Sequence, residues 1–300
     1  MAKPEAPKEP AKPKKKTVTR PDIATLAGIA LALAGILGGL ILEKGKLSDV
    51  MQGTAAMIVL GGTFGAVLVT NPMPVVVRAF RGLGAVFFET ASSTGEIIES
   101  LIQYATKARK NGIVSLESEA AAIPDPFLRK ALGLAVDGTD LQEMRKMMET
   151  DIALAEQTVE EEAKVWEAAG GYAPTVGIIG AVMGLIQVMK HLEDIKEVGH
   201  GIAVAFVATV YGVGTANILF LPMANKLKAR GRSAMLLKEM MLEGVIGIVE
   251  GLNPTLIRMK LASYDLEPAP KAKPAKAADA KPPAAKAAAA KPAAKEASAA

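Results

Sequence analysis

Apolar residues in this chain gather into four long runs that hold no carboxylate, amine or imidazole, at 23–42, 50–77, 168–189 and 201–225. Asp22 and Glu43 bound the first run, and Pro72 and Pro74 end the helix of the second near residue 71. Each run supplies roughly 20 residues, enough for the ~30 Å hydrocarbon core of a bilayer. A buried helix of a soluble domain accounts for one such run but not for four. The pattern predicts an all-α integral membrane protein with four transmembrane helices.

Between the second and third runs the apolar period changes to that of amphipathic helices. Phe87, Ile97, Ile98, Leu101, Ile102 and Ala105 keep helical spacing, and Gly112 reads as the stop. DPFLRKALGLAVDG is a short helix with Pro126 early in it. The charged stretch from Asp140 continues as one long helix into span three, and the residues after span four prolong that helix back into the cytoplasm. These readings divide the chain into a basic tail at 1–20, spans one and two at 21–77 and a cytoplasmic helical hairpin domain at 78–167. Spans three and four follow at 168–225, then a C-terminal cytoplasmic helix at 226–267 and a second tail at 268–300.

Charge fixes orientation rather than partners. The net +4 comes from the tails: residues 1–20 carry +5 and 268–300 another +5, which leaves −6 for 21–267. Nucleic acid is therefore not the implied partner. Both tails are rich in Pro and Lys, a composition that predicts disorder. The C-terminal one either solvates its end or meets anionic headgroups through spaced lysines. Arg78 and Arg81 follow span two, and Lys226, Lys228, Arg230 and Arg232 follow span four, whereas the loops at 43–50 and 190–200 lack such an excess. By the positive-inside rule both termini are cytoplasmic, in a multi-pass protein whose partner is the lipid bilayer. There is no cysteine, and the two histidines, His191 and His200, read as solvated residues beside a short loop rather than a metal pair.

No span carries an ionisable group of the kind that marks proton relays and ion paths. Any ion-binding carboxylate must then come from another chain. Ala173, Gly177, Ala181 and Gly184 fall on one face of span three, and Ala205, Thr209, Gly212 and Ala216 repeat the spacing in span four. Such stripes let helix backbones approach closely, and plain helix contact explains them as well. Pro174 and Pro222 lack N–H groups, so the carbonyls of Gly170 and Ile218 lose their helical donors. Freed carbonyls at membrane depth are tolerated inside protein or beside a wet cavity. A turn near Ile195 puts Ala181 and Thr209 at similar depth. Thr209 offers a mid-membrane hydroxyl, or else bonds back to its own helix.

GGYAPTVGIIGAVMGLI, AVAFVATVYGVGTANILFLPMANKL, MQGTAAMIVLGGTFGAVLVTNP and EGVIGIVEGLNP together resemble the MotA/PomA family, the larger stator subunit of the bacterial flagellar motor. The similarity covers roughly residues 21–266. It implies a membrane channel subunit rather than an enzyme, located in the bacterial inner membrane, with no cofactor. It also implies a homo-pentamer around two copies of a MotB-like, single-span, peptidoglycan-binding partner that supplies an aspartate. Pro174 and Pro222 match the family's two functional prolines. In ARKNGIVSLESE, Arg109 and Glu117 match its rotor-contacting pair, with Lys110 and Glu119 as auxiliaries facing a FliG-like switch protein. Read from composition alone, that stretch is an ordinary solvated face. A TolQ/ExbB-like energiser is the alternative, but relatives of that kind have three spans. The proton is the expected coupling ion, with sodium the alternative, because sodium-driven relatives have threonine where Ala181 stands. Thr175 adds a second hydroxyl that would serve a displaced site.

Overall fold

The computed structural model describes residues 19–90 and 94–264. Both predicted tails lie outside these residues, apart from Thr19 and Arg20, which with Pro21 form strand β1 (Thr19–Pro21). Four helical stretches are long and apolar enough to cross a membrane. Helix α1 (Ile23–Leu42) is capped by Asp22 and spans the predicted run, yet buries none of its residues. Helix α2 (Gly53–Thr70) ends where Asn71 turns extended ahead of Pro72, as a residue before proline must. Helix α3 (Met73–Gly82) restarts with proline in its first turn, and α4 (Gly84–Phe87) closes the corner.

The sequence pattern failed at the next step. Phe87 and Ile97 do not share a helix: Phe88–Thr90 forms strand β2, antiparallel to β1, with Arg20 opposite Glu89. Helix α5 (Thr94–Asn111) then starts afresh. This two-strand ribbon pairs segments some 70 residues apart. Each strand is too short to show a period-two pattern.

Helices α6 (Glu117–Ala122) and α7 (Pro126–Val136) lead to α8 (Leu141–Lys190), which runs unbroken for 50 residues from cytoplasm to membrane. That is about 75 Å at the usual rise. Helix α9 (Ile195–Gly214) returns antiparallel, a π-helical segment spans Thr215–Phe220, and α10 (Leu221–Val249) carries the path back into the cytoplasm. Helix α11 (Pro254–Ala262) completes the fold. The cytoplasmic core joins parts distant in sequence. Leu101 of α5, Leu132 of α7, Met144 and Met148 of α8, Met240 and Ile246 of α10, and Leu261 of α11 are all buried in it. A smaller aromatic core sits where membrane and cytoplasmic parts meet. Trp166 stacks edge-on to Phe80 with ring centroids 4.9 Å apart, and its indole N–H donates to the Ala79 carbonyl.

Candidate functional site

The seam between α8 and α9 is made by backbone meeting backbone. A β-carbon at Gly177 would stand 2.9 Å from the Ala208 carbonyl oxygen, and one at Gly212 would stand 2.5 Å from that of Ala173. Nearer the loop, one at Gly184 would meet the Gly201 oxygen at 2.7 Å. Only glycine fits such contacts, which explains why a membrane helix is built from residues that weaken helices in water. The buried faces include Ala173, Gly177, Gly180 and Gly184 on α8, and Ala205, Ala208 and Gly212 on α9 with Ala216 on the π segment.

Two details differ from the sequence reading. Ala181 and Thr209 are half-buried at the rim of the seam, and Gly180 and Ala208 take the central places. Nor do they share a depth: the Thr209 Cα lies 3.5 Å from the β-carbon position of Gly177, one turn of α8 away from Ala181. The reason is the hairpin loop, which covers residues 191–194, ahead of Ile195. In an antiparallel pair, a misplaced turn shifts the register by twice the error.

The Thr209 hydroxyl donates to the Ala205 carbonyl at 3.2 Å, and the exposed Thr175 hydroxyl donates to that of Tyr172 at 2.8 Å. Both are bonded within their own helices. Thr63 of α2 is different: it is wholly buried, and its hydroxyl has no partner among the described residues. Sequence reading passed over it because one threonine in an apolar run carries no signal. Tyr211 was also missed. Its hydroxyl donates to the Val50 carbonyl at 2.6 Å and accepts from the Gln52 N–H, pinning the start of α2 to α9.

The structure brings the two proline regions together. Helix α8 passes through Pro174 without a break, and the carbonyl that this proline leaves without a donor belongs to Gly170. A β-carbon at Gly170 would be 2.5 Å from the side chain of Leu221, the residue before Pro222. Just ahead, the Leu221 N–H reaches back five residues to the Ala216 carbonyl, closing the π segment. A proline that cannot donate to the carbonyl four residues back disturbs the ladder at this point, and such π segments often mark functional sites. Below the seam, burial pushes the Glu162 carboxyl up, partly offset by Arg78.

The rotor-contact candidates flank a sharp turn. Arg109 and Lys110 end α5, Gly112 takes φ +81°, and Glu117 and Glu119 begin α6. Cations at a helix C-terminus and anions at an N-terminus complement the helix dipoles. Glu119 pairs with Lys107 at 2.9 Å. Arg109, Lys110 and Glu117 are exposed and have no ion-pair partner among the described residues. Arg109 also lines a cleft of about 380 Å³ with Ile113, Thr139 and Leu252.

Comparison with known proteins agrees with this architecture. The chain matches the model of the MotA/TolQ/ExbB proton channel family over residues 119–240 and that of the motility protein A N-terminal region over 26–112. It is 36% identical to motility protein A of Helicobacter pylori, over 83% of this chain and 97% of that protein. Two solved structures are similar at 34% identity. That of C. jejuni MotAB gives a TM-score of 0.77 over 81% of this chain and 95% of the other. The flagellar MotAB stator complex from Bacillus subtilis gives 0.75 over 82% and 96%.

Proposed function

The chain belongs to the motility protein A branch of the MotA/TolQ/ExbB proton channel family, and we propose that it works as the membrane-embedded subunit of a flagellar stator, forming an ion channel with a MotB-like partner. The observation that carries this reading is the α8–α9 seam. It is lined by glycine and alanine, and among the described residues its span segments hold no carboxylate, amine or imidazole. A path without its own titratable group needs one from elsewhere, and a partner aspartate beside the seam provides it. The match to the N-terminal motility model over 26–112 favours this reading over a TolQ/ExbB-like energiser.

In this reading the protein is a pentamer around a partner dimer in the bacterial inner membrane, with both termini cytoplasmic. The proton is the coupling ion. Sodium needs several oxygen ligands to replace its water. Thr209 and Thr175 each offer one hydroxyl oxygen, and Ala181 offers none, which falls short of such a ligand set. Protonation of the partner aspartate removes a charge beside the seam, which allows that helix and the α8–α9 pair to shift against each other. Between α8 and α9 themselves, the glycine contacts present few side chains to resist a matching adjustment. Pro174 and Pro222 keep the backbone near Gly170 and Ile218 short of its full set of bonds, so motion starts there. Arg109 and Glu117, assisted by Lys110 and Glu119, pass it to a FliG-like rotor protein through exposed charge.

The test is to express the chain with and without a MotB-like partner in cells lacking other stators, recording cytoplasmic pH and flagellar rotation. Flux and rotation are expected only with the partner and independently of sodium. Flux from the chain alone overturns the borrowed carboxylate, and rotation that stops without sodium at constant proton-motive force overturns the ion.

A further inference from the structure

Helix α1 buries none of its residues, yet its cytoplasmic foot is held by a dense polar cluster. The Asp22 side chain is only 8% exposed, and it takes Lys226 Nζ at 2.6 Å and Arg230 Nη2 at 2.5 Å on one oxygen. Its other oxygen caps α1 by accepting from the Thr25 N–H at 3.1 Å. The Asp22 N–H donates to the Phe87 carbonyl at 2.8 Å, and Arg230 also donates to the carbonyls of Ala85 and Phe88. One carboxylate thus joins the foot of α1, the α4–β2 corner and α10. The two cations and the capping N–H hold its carboxyl well below the usual carboxylate range.

Ion pairs withdrawn from water return little net stability compared with apolar packing, and their best-attested use is to fix one geometry. The place where geometry is fixed here is informative. Lys226 and Arg230 lie within the first three turns of α10, just past Pro222 and the π segment. The far end of α10 is buried in the cytoplasmic core at Met240 and Ile246. Lys228, between the two cations, pairs with Glu167 of α8 at 2.6 Å. So α10 is gripped from two sides where it leaves the membrane.

We propose that Asp22 is a positioning residue for torque: with Lys226 and Arg230 it braces α10 against the foot of α1. A displacement that begins at the π segment is then delivered to the cytoplasmic domain instead of being lost as recoil between helices. The brace rests on the stator reading above.

The experiment uses the complete stator in cells without other stators, where rotation speed rises in steps as units join one motor. Step height reports torque per unit, and step number reports assembly. Asp22→Asn keeps an acceptor for the Thr25 N–H but removes the charge. Step height is expected to fall about two-fold or more, the scale typical of residues in a coupling network, with step number and membrane abundance unchanged. Asp22→Glu should recover part of the height. An unchanged step height, whatever happens to step number, overturns the proposal, and a fall in step number alone assigns Asp22 a folding role. If Asp22→Asn does not accumulate, Lys226→Gln, which spares the cap, is judged by the same two outcomes. Absence of steps from the unaltered protein would instead refute the stator reading.

Discussion

The α8–α9 seam and the cytoplasmic core are both packed helices, but they are packed in opposite ways. In the seam, Gly177 lies on Gly212 and Gly184 on Gly201, with backbone atoms in direct contact. In the core, Leu101, Leu132, Met144, Met240 and Ile246 interlock with essentially no exposure. Interdigitated side chains resist sliding, because each must leave its slot before its neighbour moves. A glycine face has few such slots. The contrast assigns compliance to the membrane and stiffness to the cytoplasmic part, a suitable division for a device that starts motion in one place and applies it in another.

The harshest way to break the contrast is to put side chains into the seam. Gly212→Val sets a β-carbon against the Ala173 carbonyl, which cannot rotate away. The cost is expected at about 3 kcal/mol or more, and membrane extracts should contain little assembled complex by gel filtration. Normal yield would mean the seam is looser than its contacts indicate.

Pro174→Ala is expected to separate function from assembly. Alanine supplies the N–H that the Gly170 carbonyl lacks, adding a bond of about 1 kcal/mol to the compliant region. Complex yield should hold while bead-assay torque falls by most of its value. Retained torque would show that the proline serves only local structure.

At the stiff end, Arg109→Glu should leave folding alone, because the residue is exposed and has no ion-pair partner among the described residues. Its effect on thermal stability is expected within about 0.5 kcal/mol. Torque should drop, and a matching charge reversal on the rotor protein should return part of it. A loss of folded protein would make Arg109 structural.

The smallest expected change sharpens the comparison from inside the membrane. Thr63→Val removes a buried hydroxyl that bonds to nothing among the described residues. Leaving such a group unsatisfied costs about 1–3 kcal/mol, so valine should raise the unfolding temperature of the purified complex slightly and leave torque intact. A torque defect would give that hydroxyl a part in the ion path.

The two regions were not equally legible in the sequence. The spans were plain, because runs without charge need only be counted, and α1 coincides with the predicted 23–42. The prolines and small-residue stripes could be placed on spans, but their register could not. It depended on where a four-residue loop turned, and the depths of Ala181 and Thr209 were misjudged by a turn. The ribbon of β1 and β2, the π segment and the Asp22 cluster were illegible for a common reason. Each depends on residues far apart meeting in space, and no periodicity in a single segment encodes that. Asp22 was visible as a boundary, whereas Lys226 and Arg230 were visible only as inside-positive charge.

The unbroken course of α8 has an evolutionary consequence. Met144, Met148 and Ile152 face one core and Trp166, Ala169 and Ala173 face another, on a single rigid helix. Deleting one residue between 152 and 166 would rotate the two sets by about 100°, turning the Trp166 ring away from Phe80. This stalk therefore cannot drift in length one residue at a time. It can lengthen only in jumps near seven or eleven residues, which restore the phase. A relative whose stalk is longer by a single residue should carry a π turn nearby to take up the rotation.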